Sequence, residues 1–332
     1  MTDGTIQLSE GSSVVSLPTR KTNVLSVSLI AIFVLGILAL PAISSGYLVT
    51  LATEVMIAGI FASGLNLLIG YTGLASAGHA MFVGLGGYGI GVGSVLYGFP
   101  LWASVPATLV GIGVVSALVG VICTRTRGVE FLLITLAFSQ MFFGVAVKLR
   151  LTNGTDGMAG IPRPDLSWLG LSADHPITFY YYVAFIAGLA LLFVARVIQS
   201  PFGSVLIGIR ENERRVISMG YAVKSYKVGA FILSAMISGL AGVLQAQYTY
   251  FINPDSMSWQ SSGEAILMVI IGGANTIFGP FVGATVFVLV KQGLSLVTDE
   301  YNLFFGIFFM LVVAFFRGGI GGAFHSLVER KR

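Results

Sequence analysis

Charge, histidine and cysteine are all scarce in this chain, and each shortage closes off a class of chemistry. Asp, Glu, Lys and Arg make up 10% of the 332 residues, against roughly a quarter in soluble domains. Hydrophobic residues reach 55% and the mean hydropathy is +0.90, so a soluble globular fold is excluded. A single cysteine, Cys123, allows no intrachain disulfide and no cysteine-based metal cluster. It ends an apolar run beside Arg125 and reads as a small core residue. The three histidines, His79, His175 and His325, lie far apart, so no metal-ligand spacing is present. No G-x-x-x-x-G-K-[ST] sequence occurs, so the chain lacks a phosphate-cradling loop of its own. No nucleophile–base arrangement is visible, and the expectation is a protein that is not an enzyme and binds no cofactor.

Apolar runs dominate what remains. A span needs about 20 apolar residues to cross roughly 30 Å of hydrocarbon. Windows of that kind fall at Val24–Ala42, Tyr47–Gly70, Leu74–Tyr97, Leu101–Cys123, Val129–Val147, Ile177–Gln199, Val228–Tyr250, Glu264–Ile277, Phe281–Val297 and Leu303–Phe316. The expected fold class is therefore an all-α polytopic membrane protein with about ten (8–10) transmembrane helices. The eighth and tenth windows are short, as tilted or re-entrant segments would be. The first window could be a signal peptide ending at Leu40-Pro41-Ala42. It is longer than a typical apolar h-region and further spans follow, which favours an uncleaved first span. The 43 glycines suit close approach of membrane helices.

Orientation follows from Lys and Arg, which concentrate in short cytoplasmic segments. With the N-terminus inside, 14 of the 18 cations fall inside, three outside (Lys148, Arg150 and Arg163) and Lys291 within a span. Both termini are then cytoplasmic. The expected organisation is an N-terminal tail at 1–23, a transmembrane domain at 24–318 and a C-terminal tail at 319–332. The largest external loop spans 149–176 and a cytoplasmic loop spans 200–227. The basic pI near 9.2 reflects this topology. Cations at the ends of apolar runs do not make a nucleic-acid patch, so the surroundings are lipid and no nucleic-acid partner is expected.

Each ionisable group inside a span costs about 2.5–3.5 kcal/mol on insertion scales, so the few present are candidates by default. Glu54 lies about two turns into the second window, His79 in a run of small residues, Glu264 at the start of the eighth and Lys291 near the middle of the ninth. Structural roles weigh against each: interfacial or paired carboxylates for Glu54 and Glu264, and a snorkelling or paired ammonium for Lys291. For His79 the counterpart is a satisfied helix–helix hydrogen bonder, and Asn66, Ser139, Gln140, Gln245 and Gln247 read the same way. No span carries paired acids of the kind a proton- or sodium-coupled transporter uses.

Two segments break the helical pattern with glycines: Gly64–Val92 (GLNLLIGYTGLASAGHAMFVGLGGYGIGV) and Ile270–Ala284 (IIGGANTIFGPFVGA). Interrupted spans free backbone groups to contact a solute. That makes Asn66, Gly70, Ser76, His79, Gly84, Gly272, Gly273 and Asn275 the candidate substrate-pathway residues, with tight packing as the competing reading.

The loop Ser200–Lys227 carries Arg210, Arg214, Arg215, Lys224 and Lys227. As a helix from Gly203 to Gly220 it places Leu206, Ile209, Val216 and Ile217 on one face, interrupted by Glu213. Arg210, Glu211, Arg214, Arg215 and Ser218 form the opposite stripe, and Gly220 stops the helix. Such a helix either lies on the membrane surface or inserts into a cytoplasmic partner.

Three segments carry a family resemblance: GLNLLIGYTGLASAGHAMFVGLGGYG, GIRENERRVISMGYAVKSYKVGAFILSAMISGLAGVLQA and NPDSMSWQSSGEAILMVIIGGANTIFGPFVGA. They resemble the membrane subunits of ABC importers for branched-chain amino acids, nearer the LivM-type than the LivH-type, in order from about Leu51 to Gly322. The resemblance implies a permease subunit in a bacterial inner membrane, paired with a second permease subunit (LivH-type). It also implies two cytoplasmic ATPase subunits that hold ATP and Mg, and an external or periplasmic substrate-binding protein. The helix Arg210–Tyr221 would then be the ATPase-coupling element, with Arg210, Glu211, Glu213, Arg214, Arg215, Met219, Gly220 and Tyr221 as its contact set. The family's loop signature has small residues after a Glu and then a Gly. Here Glu213 is followed by Arg214-Arg215, and Gly220 comes one position later than the common spacing. Related permeases for urea or short-chain amides, and a stand-alone facilitator for a small neutral solute, remain as alternatives.

Overall fold

The computed structural model describes residues 46–165 and 173–296, with positions 41, 304, 306 and 310. Nine helices fill the described residues: α1 (Gly46–Thr72), α2 (Ala80–Leu96), α3 (Leu101–Cys123), α4 (Gly128–Lys148), α5 (Pro176–Gln199), α6 (Pro201–Ser218), α7 (Val223–Thr249), α8 (Trp259–Gly272) and α9 (Gly279–Ser295). A two-residue ladder pairs β1 (Met158–Ala159) antiparallel with β2 (Phe251–Ile252). Five of these helices, α1, α3, α4, α5 and α7, are long and apolar enough to cross a membrane.

Helix ends follow local chemistry. α3 starts after Pro100, which lacks an N–H, a donor that a helix start would leave without an intrahelical partner. α5 starts with Pro176 and α9 carries Pro280 in its first turn for the same reason. Ser200 caps α6 by accepting from the Gly203 N–H, and Ser258 caps α8 by accepting from the Ser261 N–H.

Two layers of burial distinguish the long helices. In an 18-residue apolar stretch of α1 and of α7, 67% and 61% of the residues are buried, against 22% in the matching stretch of each of α3, α4 and α5. The latter three turn Val110, Val114, Leu118, Leu133, Phe185 and Leu192 outward. Lipid tails solvate such side chains as well as a core does, so apolar burial gives little drive to helix association and close packing must supply it. α7 and α2 show the device: Gly86 of α2 packs on the Gly239 carbonyl of α7, and Gly242 of α7 packs on the Val83 carbonyl of α2, each closely enough that a Cβ on the glycine would collide with backbone. α7 thereby packs against α1, α2 and α3 at once.

The second to ninth expected windows fall on helices, most of them with shifted ends. The third, Leu74–Tyr97, loses its first turn and a half, because residues 73–79 are not helical and α2 begins only at Ala80. The seventh begins at Val223 rather than Val228, so Lys224 and Lys227 of the basic loop are helical. The eighth runs Trp259–Gly272 rather than Glu264–Ile277, since Asn275 adopts φ +70° and Gly273 φ +96°, which turn the chain back into α9. The first and tenth windows, Val24–Ala42 and Leu303–Phe316, lie outside the described residues apart from Pro41, Phe304, Gly306 and Met310.

Opposite the 273–278 connection, the segment after α4 is fastened by Arg163. Its guanidinium donates to the carbonyls of Gln247, Tyr248, Ala173 and Asp174. It lies 4.1 Å from the Phe179 ring and 4.3 Å from the Tyr250 ring. The last carbonyls of α7 have no intrahelical donors and carry the negative end of the helix dipole, so a forked cation suits that position.

Candidate functional site

The two glycine-interrupted segments meet. α1 ends in a π-wound turn, Leu67–Thr72, closed by Gly73 at φ +76°. That wider winding is an uncommon form that collects at functional positions. Asn66, just before it, clamps the connection between α8 and α9: its Nδ2 donates to the Thr276 carbonyl at 2.9 Å, and its Oδ1 accepts from the Asn275 N–H at 3.2 Å. Gly70 packs on the same clamp, where a Cβ would strike Asn66 Oδ1 and the Asn275 nitrogen. Gly272 and Gly273 close the other side, with Gly272 against the Gly279 carbonyl. Asn66, Gly70, Gly272, Gly273 and Asn275 thus form one cluster, with Asn275 exposed at its edge.

Ser76 and His79 sit higher in the break and face the interior. His79 is fully buried, with Nδ1 2.8 Å from Ser76 Oγ and Nε2 2.8 Å from Ser234 Oγ. Ser234 donates its own hydroxyl to the Gly64 carbonyl at 2.5 Å, so it accepts from Nε2–H and Ser76 donates to Nδ1. The ring stands edge-on to Phe82 and Phe231. One imidazole nitrogen is committed to Ser76 within the break, and the other ties the break to α7, whose Ser234 reaches α1 at Gly64. Gly84 packs on Met257, and the Ala80 N–H that opens α2 is taken by Ser262 Oγ of α8 at 2.9 Å. His79 and Gly84 therefore stand apart from the Asn66 cluster, inside the fold.

The loop helix α6 is two helices joined at Asn212, whose backbone is extended (φ −157°, ψ 92°). Asn212 Oδ1 accepts from the Arg215 N–H at 3.1 Å and caps the second piece. Gly220, at φ +86°, ends it. Burial divides the eight loop residues singled out from sequence. Glu211, Arg214, Arg215, Met219, Gly220 and Tyr221 are exposed, together with Ile217, while Arg210 and Glu213 turn inward.

Arg210 packs over Gly73 and donates through Nη1 to the Gly70 carbonyl at the end of α1. A helix C-terminus leaves such carbonyls without partners and favours a cation there. Glu213 accepts from Lys227 Nζ of α7 at 2.8 Å and pairs with Arg127, between α3 and α4, at 3.0 Å. Lys227 is 3% exposed and Arg127 61%, so the Lys227 bond carries the pair and the Arg127 bond adds little. Sequence reasoning placed Arg210 on the outward stripe and took Glu213 as an interruption of the apolar face. Periodicity fixes where a Cα lies, but a long stem can reach back over glycines, and Glu213 answers a lysine 14 residues away.

Among the described residues no cluster of His, Cys, Asp or Glu has the makings of a metal site. A groove of about 290 Å³ between α3, α5 and α7 is lined by Leu109, Ile186, Phe193, Met236 and Leu240 among others. Its walls are almost wholly apolar, and it is separate from both helix breaks. The third ion pair joins Lys291 of α9 to Glu264 of α8 at 2.9 Å.

Comparison with known proteins follows the same line. A family described as "Branched-chain amino acid transport system / permease component" matches residues 47–314. The chain is 28% identical over 297 residues to the "High-affinity branched-chain amino acid transport system permease protein LivM" of Escherichia coli K12, covering 83% of this chain and 69% of the relative. The protein of the same name from Salmonella typhimurium LT2 is 28% identical over 301 residues, with the same coverage. No solved structure matches the chain.

Proposed function

The chain belongs to the branched-chain amino acid transport system permease components, and from that premise we propose that it carries an apolar amino acid across a bacterial inner membrane as the LivM-type permease subunit of an ATP-driven importer. In this reading a LivH-type subunit completes the pore. Two ATPase subunits, holding ATP and Mg, dock on the cytoplasmic side, and an external binding protein delivers the solute. Both termini are cytoplasmic, and this chain performs no covalent step.

One observation carries the reading: α6 has two working faces. Outward it presents Glu211, Arg214, Arg215, Ile217, Met219 and Tyr221, a mixed basic and apolar tip of the kind that fills a cleft in a protein partner. Inward, Arg210 holds the end of α1 at Gly70, whose other side packs on the Asn66 clamp. A push on the tip is passed to a helix break that joins α1 to the α8–α9 connection. Closure of the ATPase dimer would move α6. The segments around Asn66–Gly73 and Gly272–Asn275 would then shift between outward-open and inward-open arrangements.

The test is reversal of the tip's charge. With Arg214→Glu and Arg215→Glu together, the chain should still insert, yet lose co-isolation with the ATPase subunits and ATP-dependent leucine uptake in proteoliposomes. Unchanged uptake by the double variant would sink the assignment. Leucine, urea or amide flux through the lone chain in liposomes would favour the facilitator reading.

A further inference from the structure

Among the described residues, two of the three ion pairs share Glu213 at the loop helix, and the third, Glu264–Lys291, lies apart from the coupling contacts. Glu264 is eight residues from the Gly272 end of α8, and Lys291 twelve from the Gly279 end of α9. At about 1.5 Å per residue these are roughly 12 and 18 Å along the helices from the 273–278 connection, which the importer reading puts at the cytoplasmic edge of an apolar layer about 30 Å thick. Their side chains are nevertheless 36% and 38% exposed. An open charge pair at that depth is costly against lipid, so this face meets water or another protein surface.

The surroundings are graded. Gln260, one turn before Glu264, and Ser295, one turn beyond Lys291, are both exposed, so a polar strip runs along α8 and α9 away from the 273–278 connection. Toward that connection the wall turns apolar, with Leu267 half-buried one turn from Glu264 and the Phe287 ring 5.8 Å from Lys291 Nζ. A carboxylate and an ammonium side by side, with an apolar wall on one side, complement a small molecule with an ammonium, a carboxylate and an aliphatic branch.

We propose that Glu264 and Lys291 form the head-group subsite for a zwitterionic amino acid on its way through the pore. Glu264 takes the α-ammonium, Lys291 takes the α-carboxylate, and the aliphatic side chain lies along Leu267. The pair and the solute are each neutral overall, so binding exchanges one ion pair for two and buries no net charge. This proposal rests on the importer reading and names where its solute is held.

The test uses the assembled importer, with companion permease and ATPase subunits, and a diazirine analogue of leucine as photolabel. Label should fall on 259–272 or 279–295. Leucine should protect, whereas 4-methylpentanoate and isopentylamine, each with one of the two charges, should not. Glu264→Gln and Lys291→Met should each cut labelling about tenfold or more, the loss expected for one charge-assisted hydrogen bond, with the subunits still co-isolating. Labelling that persists in both variants overturns the proposal. So does protection by 4-methylpentanoate equal to that by leucine, a result read on the wild-type complex alone. Variants that shed the companion subunit, while complexes that stay intact label normally, make the pair an interface contact and also overturn it. A wild-type complex that takes up leucine but labels elsewhere rejects the subsite and leaves the importer reading standing. One that neither takes up nor labels with leucine rejects both.

Discussion

The Lys227 side chain is 3% exposed, and that of Glu213, its carboxylate partner among the described residues, is 17% exposed. Removing a single partner from such a pair leaves an uncompensated charge away from water, which costs far more than the pair itself contributes. Glu213→Gln should therefore destabilise the permease by about 3 kcal/mol or more, measured as a drop in the thermal unfolding midpoint in detergent. Adding Lys227→Met removes the stranded ammonium and should restore most of that loss. If the single variant unfolds at the wild-type temperature, Glu213 is not the tie between loop and membrane helices. Restored stability without restored uptake would show that the tie also carries motion. Arg127, mostly in solvent, should tolerate replacement by Ala with little change.

At the scale of elements, the kink in α6 sets the direction of the whole tip. Asn212 leaves the helical region and its side chain restarts the helix by accepting from Arg215. Asn212→Ala removes that cap, at a cost of about 1 kcal/mol, and invites one continuous helix that re-aims Arg214 and Arg215. ATPase co-isolation should weaken for Asn212→Ala and survive in Asn212→Asp, which caps equally well. Equal co-isolation by both would show that the kink is incidental. The sequence made some elements plain and hid others for physical reasons. α3 was legible end to end, because Pro100 and the Arg125–Arg127 cluster bracket an unbroken apolar run. The position of both breaks was legible from their glycines. What local pattern could not show is long-range pairing: the Asn66 side chain finds Thr276 210 positions away. The first turn of α7 looked like loop because Lys224 and Lys227 are polar, yet Glu213 makes Lys227 compatible with burial. Arg163 was read only as an outside cation, since neither its carbonyl partners nor its two flanking rings lie within one helical turn of it.

Across the whole molecule, the arrangement of charge speaks to the energy source. A proton- or sodium-driven carrier uses acids that load and unload at membrane depth. Among the described residues, Glu264 is taken up by Lys291 and His79 has both ring nitrogens bonded inside the core. Among the described residues Glu54 is the lone acid of α1 and has no ion-pair partner. In the proposed reading, input enters at α6 and passes through Arg210 to the joined breaks, while Arg163 fastens the opposite end of α7 against the segment after α4. A machine of the proposed kind would respond to nucleotide and be indifferent to ion gradients. In proteoliposomes holding the full complex, leucine uptake should require ATP on the side of α6. It should be unchanged when a protonophore collapses an imposed pH gradient or when sodium is replaced by potassium. Uptake that continues without ATP and rises with an inward proton gradient would move the coupling from α6 to the membrane acids, and Glu54→Gln would then be the variant that abolishes it.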